Sequence, residues 1–292
     1  MNPPELTVVI PSYDPQPHLL RTLYDSLMRQ TFTAFEVVIV DDASTDPSLY
    51  EWIRDPRFRV VRRKENHGPA ACRNLGAKAA ESQYLFFTDT DCELAPDTLQ
   101  HAADGLRGGA ILMGNTITRA VTSFGKAVAL LGFPGGGLIG FDRVWRVDKD
   151  GYTNSFSSCN VAFRKTVFEA LGGFDETFPV AGGEDTVLAW RAIQTGCRIR
   201  YVPEMQVYHI ERSTLRDFIR WQITRGRGNY YIKQQVGKVG GYLRLRLWTF
   251  KNSLHAAGPR YALPVLGLIF LSVYYQVKGM CLEKRDARKR GT

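Results

Sequence analysis

Two aspartates one residue apart, Asp89 and Asp91 in the stretch TDTD, stand directly behind the apolar run 84–87. In an extended segment both carboxylates can face one side. Hard oxygen donors at that spacing suit Mg²⁺ or Mn²⁺, which keep some waters and take phosphate oxygens as further ligands. Carboxylates beside a core are costly to desolvate unless a cation, hydrogen-bond donors or solvent meets them. A second acidic pair, Glu184 and Asp185, follows Gly182 and Gly183. Acids in a first helical turn complement the helix dipole; two preceding glycines would also let a substrate approach them in a cleft. His209 ends the run QVYH and is either a satisfied strand-end histidine or a ligand. Arg73 and Asn74 sit near the start of a helical pattern, as surface residues or within reach of phosphates.

These groups need elements to carry them. Residues 6–10 (LTVVI), 36–40 (EVVIV) and 84–87 (YLFF) are short, continuously apolar runs, the pattern of strands covered on both faces. Between them, 18–29 places Leu19, Leu20, Leu23, Leu27 and Met28 on one helical stripe, and 69–81 opens on Pro69 at a first helical turn. Strand–helix–strand alternation predicts a doubly wound α/β layer with right-handed crossovers. Each strand runs into acid: Asp14 after the first, Asp41, Asp42 and Asp46 after the second, TDTD after the third. Ligands of open parallel sheets bind beyond the carboxyl ends of the strands. Three acidic ends converging on one edge would repel unless a cation or donors sit there.

The remainder is less regular. Residues 108–156 are Gly-rich, notably GFPGGGLIGF at 132–141, which predicts a mobile or close-packed connection. VAFRKTVFEAL (161–171) reads as a strand turning into a helix, and 182–196 as a helix with acids in its first turn and Gly196 beyond its end. Residues 197–210 give one or two strands ending near His209. From 214 an amphipathic basic helix is expected, interrupted at Gly226 and Gly228. Residues 261–277 are uncharged between Arg260 and Lys278. As a helix they span roughly 25 Å, slightly short of a ~30 Å hydrocarbon core, with Pro264 and Gly267 weakening them.

The chain of 292 residues has room for one large domain or two small ones, and its charge of +9 is uneven. Residues 211–292 carry 17 Lys/Arg against 4 Asp/Glu, while 1–210 are net acidic by about four. The basic tail predicts an anionic partner for that region, and cations flanking an apolar run fit anionic lipid better than nucleic acid. Cys72, Cys92, Cys159, Cys197 and Cys281 have no CxxC spacing, as expected of reduced thiols in the cytosol. MNPPELTVVIPSYD lacks a charged n-region and a long apolar h-region, so no secretory signal is expected.

The blocks VVIPSYD (8–14), SLMRQTF (26–32), EVVIVDDASTD (36–46), NHGPAACRNLG (66–76), FFTDTDCEL (86–94), GGFDETF (172–178) and GGEDTVLAWRAIQTG (182–196) carry a resemblance. In their order and spacing the chain resembles a family 2 inverting glycosyltransferase of the GT-A fold, over about residues 5–212. That implies an α/β fold, a GT-A Rossmann-like mixed sheet flanked by helices. Residues 1–95 would form its nucleotide-binding half, 96–212 its acceptor-binding half, and 213–292 a helical, membrane-associated region. The resemblance further implies that Pro11, Tyr13 and Asp42 contact the nucleoside of a nucleotide-diphosphate sugar and that Arg73 approaches the same donor. Asp89 and Asp91 would form the metal-binding DxD motif for Mn²⁺ or Mg²⁺, with His209 at the position of a further metal contact in some members. Asp185 would be the catalytic base, with Glu184 as the alternative. Two departures stand out: Asp14 replaces the usual Asn, and the QxxRW motif of processive synthases is only half present as Gln222, Arg225 and Gly226. Single-sugar transfer is therefore expected.

Other readings are weaker. A nucleotidyltransferase would show a Gly-rich basic loop after the first strand, and PSYDPQPHLL has none. A degenerate membrane scaffold would not need intact Asp91 and Asp185. The expected partners are a nucleotide-sugar, a glycan or lipid-linked acceptor, and a membrane surface, without nucleic acid. The expected place is the cytoplasmic face of the cell membrane, with 261–277 as a peripheral or monotopic anchor; a helix packed on the catalytic domain is the alternative.

Overall fold

In the computed structural model, which describes residues 3–178, 182–211, 213–237 and 242–290, the three apolar runs become neighbouring strands. β1 (Leu6–Ser12) is followed by α1 (Pro17–Met28), β2 (Phe35–Asp41), β3 (Phe58–Arg62), α2 (Gly68–Ala79), β4 (Tyr84–Phe87) and β5 (Cys92–Leu94). Next come α3 (Thr98–Gly108), β6 (Ile111–Arg119), α4 (Ser123–Ala129), α5 (Phe141–Val144), β7 (Tyr152–Thr153), β8 (Val161–Arg164) and α6 (Lys165–Ala170). α7 (Glu184–Gln194), β9 (Ile199–Ile210), α8 (Leu215–Val236) and α9 (Tyr242–Arg290) complete the chain.

One mixed sheet runs β3-β2-β1-β4-β8-β6-β9-β5, with β7 on β9. β3, β2, β1 and β4 are parallel, so their carboxyl ends share an edge, and Ser12 faces Asp41 in the register. β8 runs antiparallel between β4 and β6, and β5 lies antiparallel on β9. Both faces are covered, which is why the strands are continuously apolar. Val8 and Ile10 pack with Leu20, Leu23 and Leu99 on one side; Val9, Leu85 and Phe87 pack with Ala77, Phe168 and Leu188 on the other.

One expectation changes, the interruption of α8, and one open alternative is decided. The Gly-rich segment takes the close-packed alternative: the Ala129 carbonyl accepts from the Gly132 and Leu138 N–H groups, and the Gly137 carbonyl accepts from the Thr118 N–H on β6. α8 is continuous through Gly226 and Gly228. There the absent side chains allow close approach, since a Cβ on Gly226 would lie 2.1 Å from the Gln276 carbonyl oxygen of α9. α9 breaks at Gly258, and its second segment continues from Pro259 through Pro264 to Arg290. By length and composition alone it could cross a membrane.

Candidate active site

The carboxyl edge of the parallel strands is built first around Asp41 and Asp42. Asp41 is fully buried, accepting from the Ser44 N–H and hydroxyl and from the Tyr50 hydroxyl, and it pairs with Arg62 at 2.6 Å. It ties the loop after β2 to β3, a role not expected from the sequence. Asp42 accepts from the N–H groups of His67 (3.0 Å) and Gly68 (2.7 Å), the start of α2, and lies 3.5 Å from Arg63. Asp14 adopts φ 43°, a conformation that Asn and Asp tolerate. Its carboxylate accepts from the Thr45 N–H and hydroxyl at 2.7 and 2.9 Å, so Asp serves in place of Asn as a loop acceptor. Pro11 is half-buried and Tyr13 is 54% exposed at this edge.

Arg73, on α2, is the centre of the site. Its side chain is buried, donating to Asp89 at 2.8 Å and to Glu184 at 3.1 Å. Burial opposes its charge, but Asp89 and Glu184 outweigh that and raise its pKa above the ordinary guanidinium value. The ring of Phe174, from the GGFD stretch, lies beneath it at 5.4 Å. Asn74 holds that stretch in place: it donates to the Phe174 carbonyl and accepts from the Phe174 N–H. Asn74 is thus a positioning residue for that stretch.

The second acidic pair is carried by α7, whose N-cap Gly183 takes φ 110°, a value side chains rarely permit. Glu184 is buried with both oxygens engaged, one by Arg73 and the other by the Gly182 N–H at 2.8 Å. Asp185 is half-buried, and one of its oxygens accepts from the Thr186 N–H at 2.7 Å. Desolvation and the neighbouring Glu184 charge raise its pKa to about 6. That is the condition of a general base working near neutral pH.

The DxD aspartates splay apart. Asp89 is drawn to Arg73, while Asp91 Oδ2 lies 3.3 Å from His209 Nε2. The antiparallel register places Cys92 directly opposite His209, so their side chains share one face. Ligand atoms of Asp91, Cys92 and His209 all fall within 4.8 Å of one another. His209 Nδ1 is 2.8 Å from the Ile210 carbonyl; with Nδ1–H donating there, Nε2 is the nitrogen turned to Asp91. A carboxylate oxygen and an oriented imidazole nitrogen fit a divalent cation. Cys92 escapes a sequence reading because only the β5–β9 pairing reveals it. Its thiol is held protonated by a hydrogen bond with Cys159 and by burial.

The edge therefore brings a carboxylate–imidazole pair and a second acidic pair to either side of one guanidinium. A profile for Glycosyl transferase family 2 matches residues 7–172, and one described as the N-terminal domain of galactosyltransferase matches 144–213. The O-antigen biosynthesis protein RfbC of Myxococcus xanthus is 31% identical over 239 residues, covering 73% of this chain and 18% of that protein. The succinoglycan biosynthesis protein ExoO of Rhizobium meliloti is 28% identical over 239 residues, 75% of this chain and 66% of that protein. Mouse polypeptide N-acetylgalactosaminyltransferase 6 is 28% identical over 222 residues, 67% of this chain and 35% of that protein. This chain thus spans less than two thirds of each of these relatives. A solved mannosyltransferase from Pyrobaculum calidifontis, in complex with GDP-Man and Mn²⁺, shares the fold at a TM-score of 0.57 and 20% identity, over 100% of this chain and 82% of that one. The expected GT-A mixed sheet is the architecture observed.

Proposed function

Because the chain belongs to glycosyl transferase family 2, we propose that it moves one sugar from a nucleotide-diphosphate sugar to an acceptor hydroxyl, with inversion at the anomeric carbon. The observation that carries this reading is Arg73, which joins Asp89 on the donor side to Glu184 beside the base on the other. Asp185 takes the acceptor proton, and the freed oxygen attacks from the face opposite the diphosphate. Glu184 fixes the α7 N-terminus so that Asp185 keeps its place. Pro11, Tyr13 and Asp42 frame the nucleoside, and Arg73 adds positive charge near the diphosphate. Asp91 and His209 would hold Mn²⁺ or Mg²⁺, with Asp89 turned toward the same donor. When bound, such an ion supplies charge that stabilises the departing diphosphate.

Residues 1–95 serve the donor and 96–212 the acceptor, with specificity set by 108–156 and 177–183; of the latter, 179–181 lie outside the described residues. Single transfer is supported by what the QxxRW remnant does. Gln222 is buried, accepting from Ser272 and Gln276 on α9, and Gly226 abuts Gln276. Both are committed to helix packing. A lipid-linked glycan acceptor at the cytoplasmic face of the membrane is supported by the O-antigen and succinoglycan names of two relatives and by the apolar exposure of α9.

The test is a panel of nucleotide-sugars with Mn²⁺ and candidate glycolipid acceptors, read by nucleoside diphosphate release and by NMR of the new linkage. The reading expects release with one donor and an inverted anomer. A retained anomer would overturn it.

A further inference from the structure

The second segment of α9 has two unlike faces. At about 100° per residue, the exposed Leu263, Leu266, Phe270, Val273, Tyr274 and Val277 fall within one arc of about 100°. Leu263, Phe270 and Tyr274 are 79%, 67% and 62% exposed, so this stripe is left uncovered by the described residues. Val265, Leu268, Ile269 and Ser272 lie on the opposite face and are buried. Beyond the stripe, exposed Lys278, Lys284, Arg285 and Arg288 continue the helix.

The buried face is apolar at Val265, Leu268 and Ile269, which cluster with Phe218 of α8, and polar toward α8 further along. Gln276 donates to Gln222, Arg227 pairs with the fully buried Glu283 at 2.7 Å, and the Tyr231 hydroxyl donates to Glu283 at 2.7 Å. α8 is in turn seated on the catalytic loop: a Cβ on Gly228 would lie 1.8 Å from the Gly182 carbonyl oxygen, and Phe178 contacts Tyr231. If α9 crossed a bilayer it would have to abandon these partners or draw α8, with Arg216, Arg220, Arg227 and Lys233, into hydrocarbon; both alternatives are strongly disfavoured.

The geometry points to an in-plane membrane-docking face: the stripe Leu263–Val277 lies flat in an anionic leaflet, with the basic end of α9 on its headgroups and both ends of the helix on the catalytic domain's side. This extends the membrane location proposed above, from association to an orientation and a set of residues. The α8 contacts carry that orientation directly to Gly182 and Gly183, next to Asp185. An anionic leaflet is the chosen occupant because the stripe continues into cations and residues 211–292 carry the chain's whole positive surplus.

The test uses the full chain and does not depend on sugar transfer. Co-sedimentation with phosphatidylcholine vesicles, with and without phosphatidylglycerol, should show at least a ten-fold preference for the anionic vesicles. Leu263→Glu with Phe270→Glu should lose binding at unchanged thermal stability. Lys284→Gln, Arg285→Gln and Arg288→Gln should each lower anionic binding by roughly five-fold. Orientation is read in a chain with Cys197→Ser and Cys281→Ser, using single cysteines from Lys149→Cys on the catalytic domain and Lys289→Cys near the C-terminal end of α9. A membrane-impermeant maleimide should label both in the same orientation of sealed vesicles. Labelling in opposite orientations would show a span and overturn the proposal, as would wild-type binding by the Leu263/Phe270 variant or equal binding to neutral vesicles.

Discussion

Arg73 is the residue that joins two acidic clusters, Asp89 nearby in the chain and Glu184 111 positions from it. Removing it leaves Glu184 buried and Asp89 without its partner. Arg73→Met should therefore cost about 3–5 kcal/mol, measured by urea unfolding. Glu184→Gln keeps an acceptor for Gly182 and leaves Arg73 paired to Asp89, so its cost should be smaller, about 1–3 kcal/mol. Asp185 makes a prediction of opposite sign. Its pKa is raised to about 6, so ionisation is disfavoured in the folded chain, and its stabilising contribution is lost as pH rises through that value. Asp185→Asn should raise the melting temperature at pH 8, and the gain should vanish at pH 4. Transfer by the wild type should fall as pH drops through about 6, because the base must be unprotonated. The paired acids and their order were legible in the sequence. Arg73's burial, Asn74's grip on Phe174 and Cys92's place beside His209 were not, because each depends on contacts between distant segments.

At the scale of elements, the helices matter through where they touch. α1, α2, α7 and the parallel strands announce themselves through apolar stripes, Pro at first turns and acids at strand ends. α8 shows the limit of that reading. Gly226 and Gly228 look like helix breakers in a single sequence, but an exposed glycine and a glycine under another backbone are the same letter. Gly228→Ala would put a Cβ 1.8 Å from the Gly182 carbonyl oxygen, so the loop leading to Asp185 must shift. Overpacking of this kind costs about 1–3 kcal/mol. Transfer should fall at least ten-fold in that variant while the far-UV circular dichroism stays unchanged. Wild-type turnover by Gly228→Ala would show that α8 does not support the catalytic loop. The Gly-rich 132–141 stretch was opaque for the same reason, since its partners on α4 and β6 are set by tertiary contacts.

The whole molecule is one mixed sheet with acids at its parallel edge, the Glu184–Asp185 pair opening α7, and a two-helix C-terminal region whose α8 packs against Gly182 before that pair. The charge asymmetry and the apolar run near the C-terminus were visible from composition, but the two faces of α9 emerge only once α8 is packed against it. In the proposed mechanism Asp185 moves the acceptor proton while the opposite face holds the donor. The most direct measurement is nucleoside diphosphate release by wild type and Asp185→Asn, with Mn²⁺, the matched nucleotide-sugar and its acceptor, alongside donor binding by calorimetry. Asp185→Asn should keep donor affinity within a few-fold of wild type and lower transfer by at least about a hundred-fold, the size of a general-base contribution. Transfer by Asp185→Asn at near wild-type rate would contradict it.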